Sequence, residues 1–422
     1  MRLSSTLGHV IEIFSIFQKN PAIPADAILR RFLMERKYLG ARDRRTIADI
    51  YFSTIKHWRR IKERILASFP DEEITPARMV AGLMFLRGSE QPIIQQSLRE
   101  LGVELDSQAI ATFCDADAER SRLEKLSYIE RLAILHSFPS WLALRLGTEY
   151  GMDAIEPIFA SQNEEAPTSI RANTLLTTRE ALADELRHHG CETVPSDIAT
   201  NGLRLAKRYN VFSYAAFKRG EFEIQDEASQ LVAPFATIRS TSIKLLDACA
   251  GAGGKTLHFA ALMKNRGEIF STDVDPRKLD ALEERARRST AQNIRIVKPE
   301  RKPRMLGEDK TAWFDIVLLD VPCTGSGTLR RNPGIKWLLT EQMLSELLEK
   351  QRIILEENIR FVKPGGTLLY ATCSLLKEEG EAQMAHFTEL HPEYSIEEML
   401  RTRPDMDGCD GFFAARLKKH RN

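Results

Sequence analysis

The chain reads as an α/β protein: a doubly wound, Rossmann-like domain over residues 239–422, preceded by a small α+β domain over 161–238 and an all-helical domain over 1–160. Three observations carry this. Apolar residues recur at helical spacing as far as Phe159, short apolar runs alternate with helical stretches from about residue 240, and the residues between mix both patterns. A length of 422 residues also exceeds what one hydrophobic core usually serves.

In the first region Val10, Ile13, Phe14 and Phe17 share one helix face, as do Ile47, Ile50, Tyr51, Thr54 and Ile55. Pro21, Pro24, Pro70, Pro76 and Pro92 cut the region into a bundle of separate helices. Residues 161–167 are polar and end in Pro167, which predicts a linker. In the second region a strand is expected over 169–173. Thr177 to Glu180 match a capping box, opening a helix that ends near Gly190. Short strands follow at 203–205 and 221–225.

The third region begins with an apolar strand at 243–246 and a glycine-rich turn, Cys249-Ala-Gly-Ala-Gly-Gly-Lys-Thr256. A helix over 257–263 stops at Gly267, and a strand over 268–272 ends in Asp273. Asp275 and Pro276 then serve as cap and first residue of a helix, with a third strand at 293–297. The apolar run 314–319 leads into Asp320-Val-Pro-Cys323. A long helix over 340–362 is expected to end before Pro364-Gly365-Gly366, and the strand 367–371 delivers Thr372-Cys373-Ser374. In such sheets ligands sit beyond the carboxyl ends of the strands.

Composition is that of a globular protein, 43% apolar and 28% charged. The net charge of +1 conceals an asymmetry: residues 1–66 hold 14 Lys/Arg against 6 Asp/Glu, or +8, leaving −7 for the rest. A local basic excess suits a phosphate-bearing partner, and equally a solvated helix surface. Six cysteines without a CxxC pair read as reduced thiols, with no structural zinc or other metal. No run approaches a membrane span, and Glu12 interrupts the first apolar stretch, against a signal peptide. A cytoplasmic, monomeric protein is expected.

Three strand-to-loop junctions thus carry a nucleotide-binding turn, an acid beside a thiol, and a second thiol. Glycines admit a ligand close to the backbone, and the helix behind them offers unpaired N–H groups. Asp273, 22 positions after Gly251, stands where an acid accepts ribose hydroxyls. A phosphate-binding loop would need glycine at Cys249, and a dinucleotide fingerprint would need it at Thr256. S-adenosylmethionine, with one adenosine and no phosphate, fits both departures. Cys249 contributes backbone rather than sulfur.

The usual strand order would make the strands before Cys323 and Cys373 neighbours, with both thiols bordering the turn. Carbon 5 of cytosine is too electron-poor to attack a sulfonium methyl. A thiolate adding to carbon 6 makes an enamine whose carbon 5 is nucleophilic, with Asp320 placed to stabilise the adduct at N3. Free cysteine has a pKa of about 8.5, so the nucleophile needs a helix N-terminus or a cation nearby. Lys255, Arg330, Arg331 and Lys336 are candidates, and equally candidate phosphate contacts. Cys114, Cys191 and Cys409 are read as structural.

At these residues the sequence resembles the RsmB/NOP (Sun/NSUN) family of RNA cytosine-C5 methyltransferases. The likeness spans 169–417 through Arg171-Ala-Asn173, Gln225-Asp-Glu-Ala-Ser-Gln230, the 247–256 turn, Asp320 to Thr328, Arg330-Arg-Asn-Pro333, Tyr370 to Ser374 and Gly411-Phe412-Phe413. It implies that Cys373 is the nucleophile, that Cys323 helps release product, and that Asp320 contacts cofactor and base. It further implies that Cys249, Ala250, Gly251, Ala252, Gly253, Gly254, Lys255 and Asp273 hold S-adenosylmethionine, the last through its ribose. Residues 1–145 resemble the NusB-like RNA-binding domain fused to bacterial members, which modify small-subunit ribosomal RNA.

Two departures stand out. Gly251-Ala252 replace the family's usual Ala-Pro, and Lys298-Pro299-Glu300 replace the Gly-Asp whose acid meets adenine. Transfer RNA as substrate, or a ribosome-assembly factor that binds RNA without catalysis, are the alternatives. A DNA cytosine methyltransferase would leave the second thiol without a role.

Overall fold

The computed structural model describes residues 1–20, 23–69 and 73–421 and divides into two compact units. One comprises Met1–Glu165 with Leu329–Glu341, the other Ala166–Thr328 with Gln342–Asn422.

The first unit is helical. Helix Leu3–Lys19 buries Leu7, Val10, Ile13, Phe14 and Phe17, and helix Ala41–Lys56 buries Ile47, Ile50, Tyr51, Thr54 and Ile55, matching the expected faces. Each such buried apolar side chain contributes about 1.5–3 kcal/mol. The prolines open helices rather than close them. Pro24 caps Ala25–Glu35, Pro76 follows the Thr75 cap of Pro76–Leu86, and Pro92 lies in the first turn of Gln91–Arg99. There a missing N–H costs nothing and the fixed φ favours the helix. Pro21 and Pro70 lie outside the described residues. The expected linker is partly helix, because Met152–Asn163 carries on through buried Ser161 and Gln162.

The second unit contains two sheets. The smaller is antiparallel in the order β2-β3-β1-β4, with β1 Ser169–Ala172, β2 Thr193–Pro195, β3 Gly202–Leu205 and β4 Phe222–Ile224. Its helix Arg179–His188 starts one residue later than the capping box predicts. Thr178, in extended conformation, accepts the Ala181 N–H, so Thr178 and not Thr177 is the cap.

The larger sheet has the order β10-β11-β9-β8-β5-β6-β7. Its parallel strands are β5 Lys244–Asp247, β6 Glu268–Thr272, β7 Ile294–Val297, β8 Phe314–Asp320 and β9 Val362–Thr372. Strands β10 Tyr394–Thr402 and β11 Phe412–Lys419 add antiparallel at the edge of β9. β8 lies between β5 and β9, as the usual order predicts, and its apolar run is that of a strand covered on both faces. The long helix is shorter than expected, Glu341–Ile359, because Val362 already pairs with Phe314. Pro364-Gly365-Gly366 form a bulge within β9 instead of following a helix end: the register jumps from Phe314↔Val362 to Ile316↔Thr367.

Candidate functional site

Four parallel strands deliver the predicted residues to one end of the sheet: Asp247 ends β5, Thr272 precedes Asp273, Asp320 ends β8, and Cys373 follows β9. After β5 the chain turns sharply, and Gly253 caps helix Gly254–Leu262 in the left-handed region at φ 83°. A Cβ there would stand 2.1 Å from Leu282, so the turn requires glycine twice over. The place where a Cβ on Gly251 would point is open space.

Asp247 is 1% exposed. One of its oxygens accepts the Thr256 hydroxyl at 2.6 Å, while the other, Oδ1, meets no side-chain donor among the described residues. Burial pushes its carboxyl up to about 7. Asp273 accepts the Gly251 N–H at 2.9 Å through Oδ2 and the Asp275 N–H at 2.9 Å through Oδ1. It therefore braces the glycine turn, a role that the spacing argument did not foresee. Burial pushes the Cys249 thiol far up, aided by the charges of Asp247, Asp320 and Asp273, which fits a backbone role for that residue. An open glycine turn, an acid at its rim and, beneath, a carboxylate oxygen that meets no side-chain donor among the described residues suit a nucleoside with a charged amino-acid tail. Glu300 sits exposed in the turn Pro299–Arg301.

Lys255 Nζ lies 2.6 Å from Asp320 Oδ2, so the cation nearest the predicted acid neutralises it directly. The two thiols are in contact: Cys323 Sγ and Cys373 Sγ are 3.3 Å apart. Their loops also meet through backbone, with the Gly327 N–H donating to the Cys373 carbonyl at 3.1 Å and the Gly411 N–H to the Gly327 carbonyl at 2.9 Å. A Cβ on Gly327 would lie 1.9 Å from the Gly411 oxygen. The hydrogen bond with Cys373, burial and the negative charge of Glu379 together hold the Cys323 thiol well above its ordinary range.

Lys336 is not a cation for this chemistry. It belongs to the helical unit, is fully buried, and donates to the Lys56 carbonyl at 3.2 Å and Asn163 Oδ1 at 2.9 Å. Burial holds its ammonium well below the lysine range. Arg330 and Arg331 fall in that unit too, and Arg330 is 5% exposed. The motif run after Cys323 therefore leaves its own unit at Leu329, which residue order alone could not reveal.

Much of the basic excess near the N-terminus is structural as well. Arg44 donates to the Leu33, Arg36 and Leu39 carbonyls, and Arg60 and Arg64 both pair with Glu119. Lys37, Arg42, Arg45 and Lys62 stay exposed.

Sequence reasoning missed Glu379, fully buried behind the thiols, and its partner Gln351. The run Lys377-Glu378-Glu379 reads as an ordinary solvated charge cluster. Its place five residues past Ser374 was the available signal.

The sequence pattern of the family described as 16S rRNA methyltransferase RsmB/F matches residues 239–418. That of the ferredoxin-like domain of RsmF/B-like methyltransferases matches 138–212. The probable ribosomal RNA small subunit methyltransferase B of Bacillus subtilis (strain 168) is 33% identical over 310 residues, covering 69% of this chain and 68% of that protein. The ribosomal RNA small subunit methyltransferase B of Sodalis glossinidius (strain morsitans) is 33% identical over 317 residues, with 71% and 70% covered. Among solved structures, PH0851 is similar at a TM-score of 0.80 and 28% identity over 99% of each chain. NSun6 from Pyrococcus horikoshii with SFG shares the fold, at a TM-score of 0.61 and 21% identity over 68% of this chain and 100% of that one.

Proposed function

The chain belongs to the RsmB/NOP family of S-adenosylmethionine-dependent RNA cytosine-C5 methyltransferases, and from that premise we propose that it methylates a cytosine of small-subunit ribosomal RNA through a transient bond between Cys373 and carbon 6. The observation that carries this reading is the 3.3 Å contact between the two thiols, beside the Lys255–Asp320 pair. A pyrimidine that must be attacked by one thiol and released with help from another needs both within reach of one ring.

Cys373, as thiolate, gives its electron pair to carbon 6, and the displaced π pair makes carbon 5 nucleophilic. As carbon 6 is attacked, N3 takes up a proton from water and the Asp320 carboxylate accepts the resulting N3–H, stabilising the adduct until that proton is returned on release, while Lys255 holds the carboxylate in place. Bound S-adenosylmethionine supplies the electrophilic methyl; the turn from Cys249 to Lys255 and the carboxyl of Asp273 are proposed to hold it. Once Cys373 is bonded to carbon, it no longer serves as the hydrogen-bonded partner that most strongly keeps Cys323 protonated. Cys323 can then lose its own proton and accept the one on carbon 5. That C–H pair restores the C5=C6 bond, the S–C6 bond breaks, and Cys373 leaves as thiolate. The net reaction releases one proton, which passes from Cys323 to water.

The exposed cations Lys37, Arg42, Arg45 and Lys62 of the helical unit are proposed to meet RNA phosphates, as the similarity to a NusB-like domain implies. Transfer of a tritiated methyl group to purified small-subunit ribosomal RNA, mapped by bisulfite sequencing, tests the whole reading. One labelled cytosine in that RNA is expected. Label confined to transfer RNA would move the substrate, and no label in any RNA would contradict the reading.

A further inference from the structure

The Glu379 carboxylate has no exposure to solvent, and among the described residues every group that reaches it is a neutral donor. Its Oε1 accepts the Thr324 N–H and Gln351 Nε2, both at 2.9 Å. Its Oε2 accepts the Thr324 hydroxyl at 2.5 Å and the Ser374 hydroxyl at 2.6 Å. A buried charge without a counter-ion is tolerated only when hydrogen bonds of this kind replace its hydration.

The donors come from informative places. Thr324 follows Cys323 in the chain and Ser374 follows Cys373. Gln351, on helix Glu341–Ile359, also donates to the carbonyl of Pro322, the residue before Cys323, at 3.0 Å. Ser326 extends the tie, lying 2.9 Å from the Ser374 hydroxyl and accepting the Leu375 N–H at 2.9 Å. The Tyr370 hydroxyl closes it from below, its single proton shared between two acceptors, Gln351 Oε1 at 3.1 Å and the Glu379 carbonyl at 3.0 Å. One carboxylate thus joins the two loops that bear the thiols, each at the position next to its cysteine.

We infer that Glu379 is a positioning residue that holds Cys323 and Cys373 in register for attack on, and release from, one pyrimidine ring. This rests on the methyl-transfer reading and extends it to a residue outside the reacting atoms. Glutamate suits the task because each of its two oxygens accepts two bonds, whereas an amide presents one oxygen and would force two hydroxyls to reverse.

Thiol–thiol closure measures that register without any RNA. In the full chain, an azodicarboxamide oxidant takes two protons and two electrons from the Cys323–Cys373 pair, forming one S–S bond and the corresponding hydrazine. Peptide mapping follows the product. Because closure depends on how well the two sulfurs are held together, Glu379→Gln is expected to slow it, and Glu379→Ala to slow it by about tenfold or more. Cofactor affinity by calorimetry should stay as in the parent. In methylation assays kcat should fall while KM for RNA holds.

Closure at the parent rate in both variants would overturn the inference, even if methylation were intact. Slowed closure in a protein that methylates no RNA would uphold the positioning and sink the methyl-transfer reading alone. If Glu379→Ala does not fold, Thr324→Val removes one hydroxyl donor and carries the test. Intermediate slowing supports the clamp, and an unchanged rate overturns it.

Discussion

Burial sets Asp247 apart from the other acids of the site. Its folded pKa of about 7 lies above its ordinary 3.8, so the folded state binds the proton more tightly than the unfolded chain does. Stability must therefore fall as pH rises through that interval, each unit of separation weighing about 1.4 kcal/mol. Asp247→Asn should remove the slope. Chemical denaturation of the cofactor-free protein between pH 4.5 and 7.5 is expected to show the parent losing a few kcal/mol relative to the variant, and parallel curves would refute the assignment. Asp273 also shapes the turn. It braces Gly251 through a 2.9 Å bond, so weaker cofactor affinity in Asp273→Ala would combine a missing ribose hydrogen bond with a loosened turn. The glycine spacing and the acid were legible because turn chemistry is local. The brace was not, because it depends on where the carboxylate points.

Among the elements, the parallel strands and the helix faces near the N-terminus were readable because period and burial coincide there. The short apolar run 314–319, bounded by a turn, suits a covered strand, and Ile47, Ile50 and Tyr51 fall on one face of a helix. What escaped was set by tertiary pairing. Val362 joins β9 through Phe314, against the local signal of Pro364-Gly365-Gly366. Lys336 looked like a surface cation and is buried in the helical unit. The loop after Cys323 also depends on a close backbone approach. Gly327→Ala would drive a Cβ to within 1.9 Å of the Gly411 carbonyl, and the displacement is expected to cost about 1–3 kcal/mol. Urea titration should show that loss together with slower closure of the thiol pair. Unaltered stability would mean that the two loops separate without penalty.

For the whole molecule, the basic bias of the N-terminal residues is smaller in effect than in count, since Arg44, Arg60 and Arg64 are engaged in internal bonds. The exposed Lys37, Arg42, Arg45 and Lys62 are the cations proposed to meet RNA. Deleting residues 1–165 would not test this cleanly, because Leu329–Glu341 belongs to the same unit. Replacing Lys37, Arg42 and Arg45 together by alanine in the full chain is the better experiment. For each phosphate no longer neutralised, the slope of log affinity against log salt should shrink by about 0.7–0.9. Cofactor binding should stay intact, and an unchanged slope would assign these cations elsewhere. The division of labour between the two thiols is tested most directly by denaturing electrophoresis of protein–RNA adducts. With RNA and S-adenosylmethionine, Cys323→Ala should accumulate a covalent species, because attack proceeds and release stalls. Cys373→Ala and the double variant should form none. An adduct in Cys373→Ala and none in Cys323→Ala would reverse the two roles, and full methylation by both single variants would contradict covalent catalysis altogether.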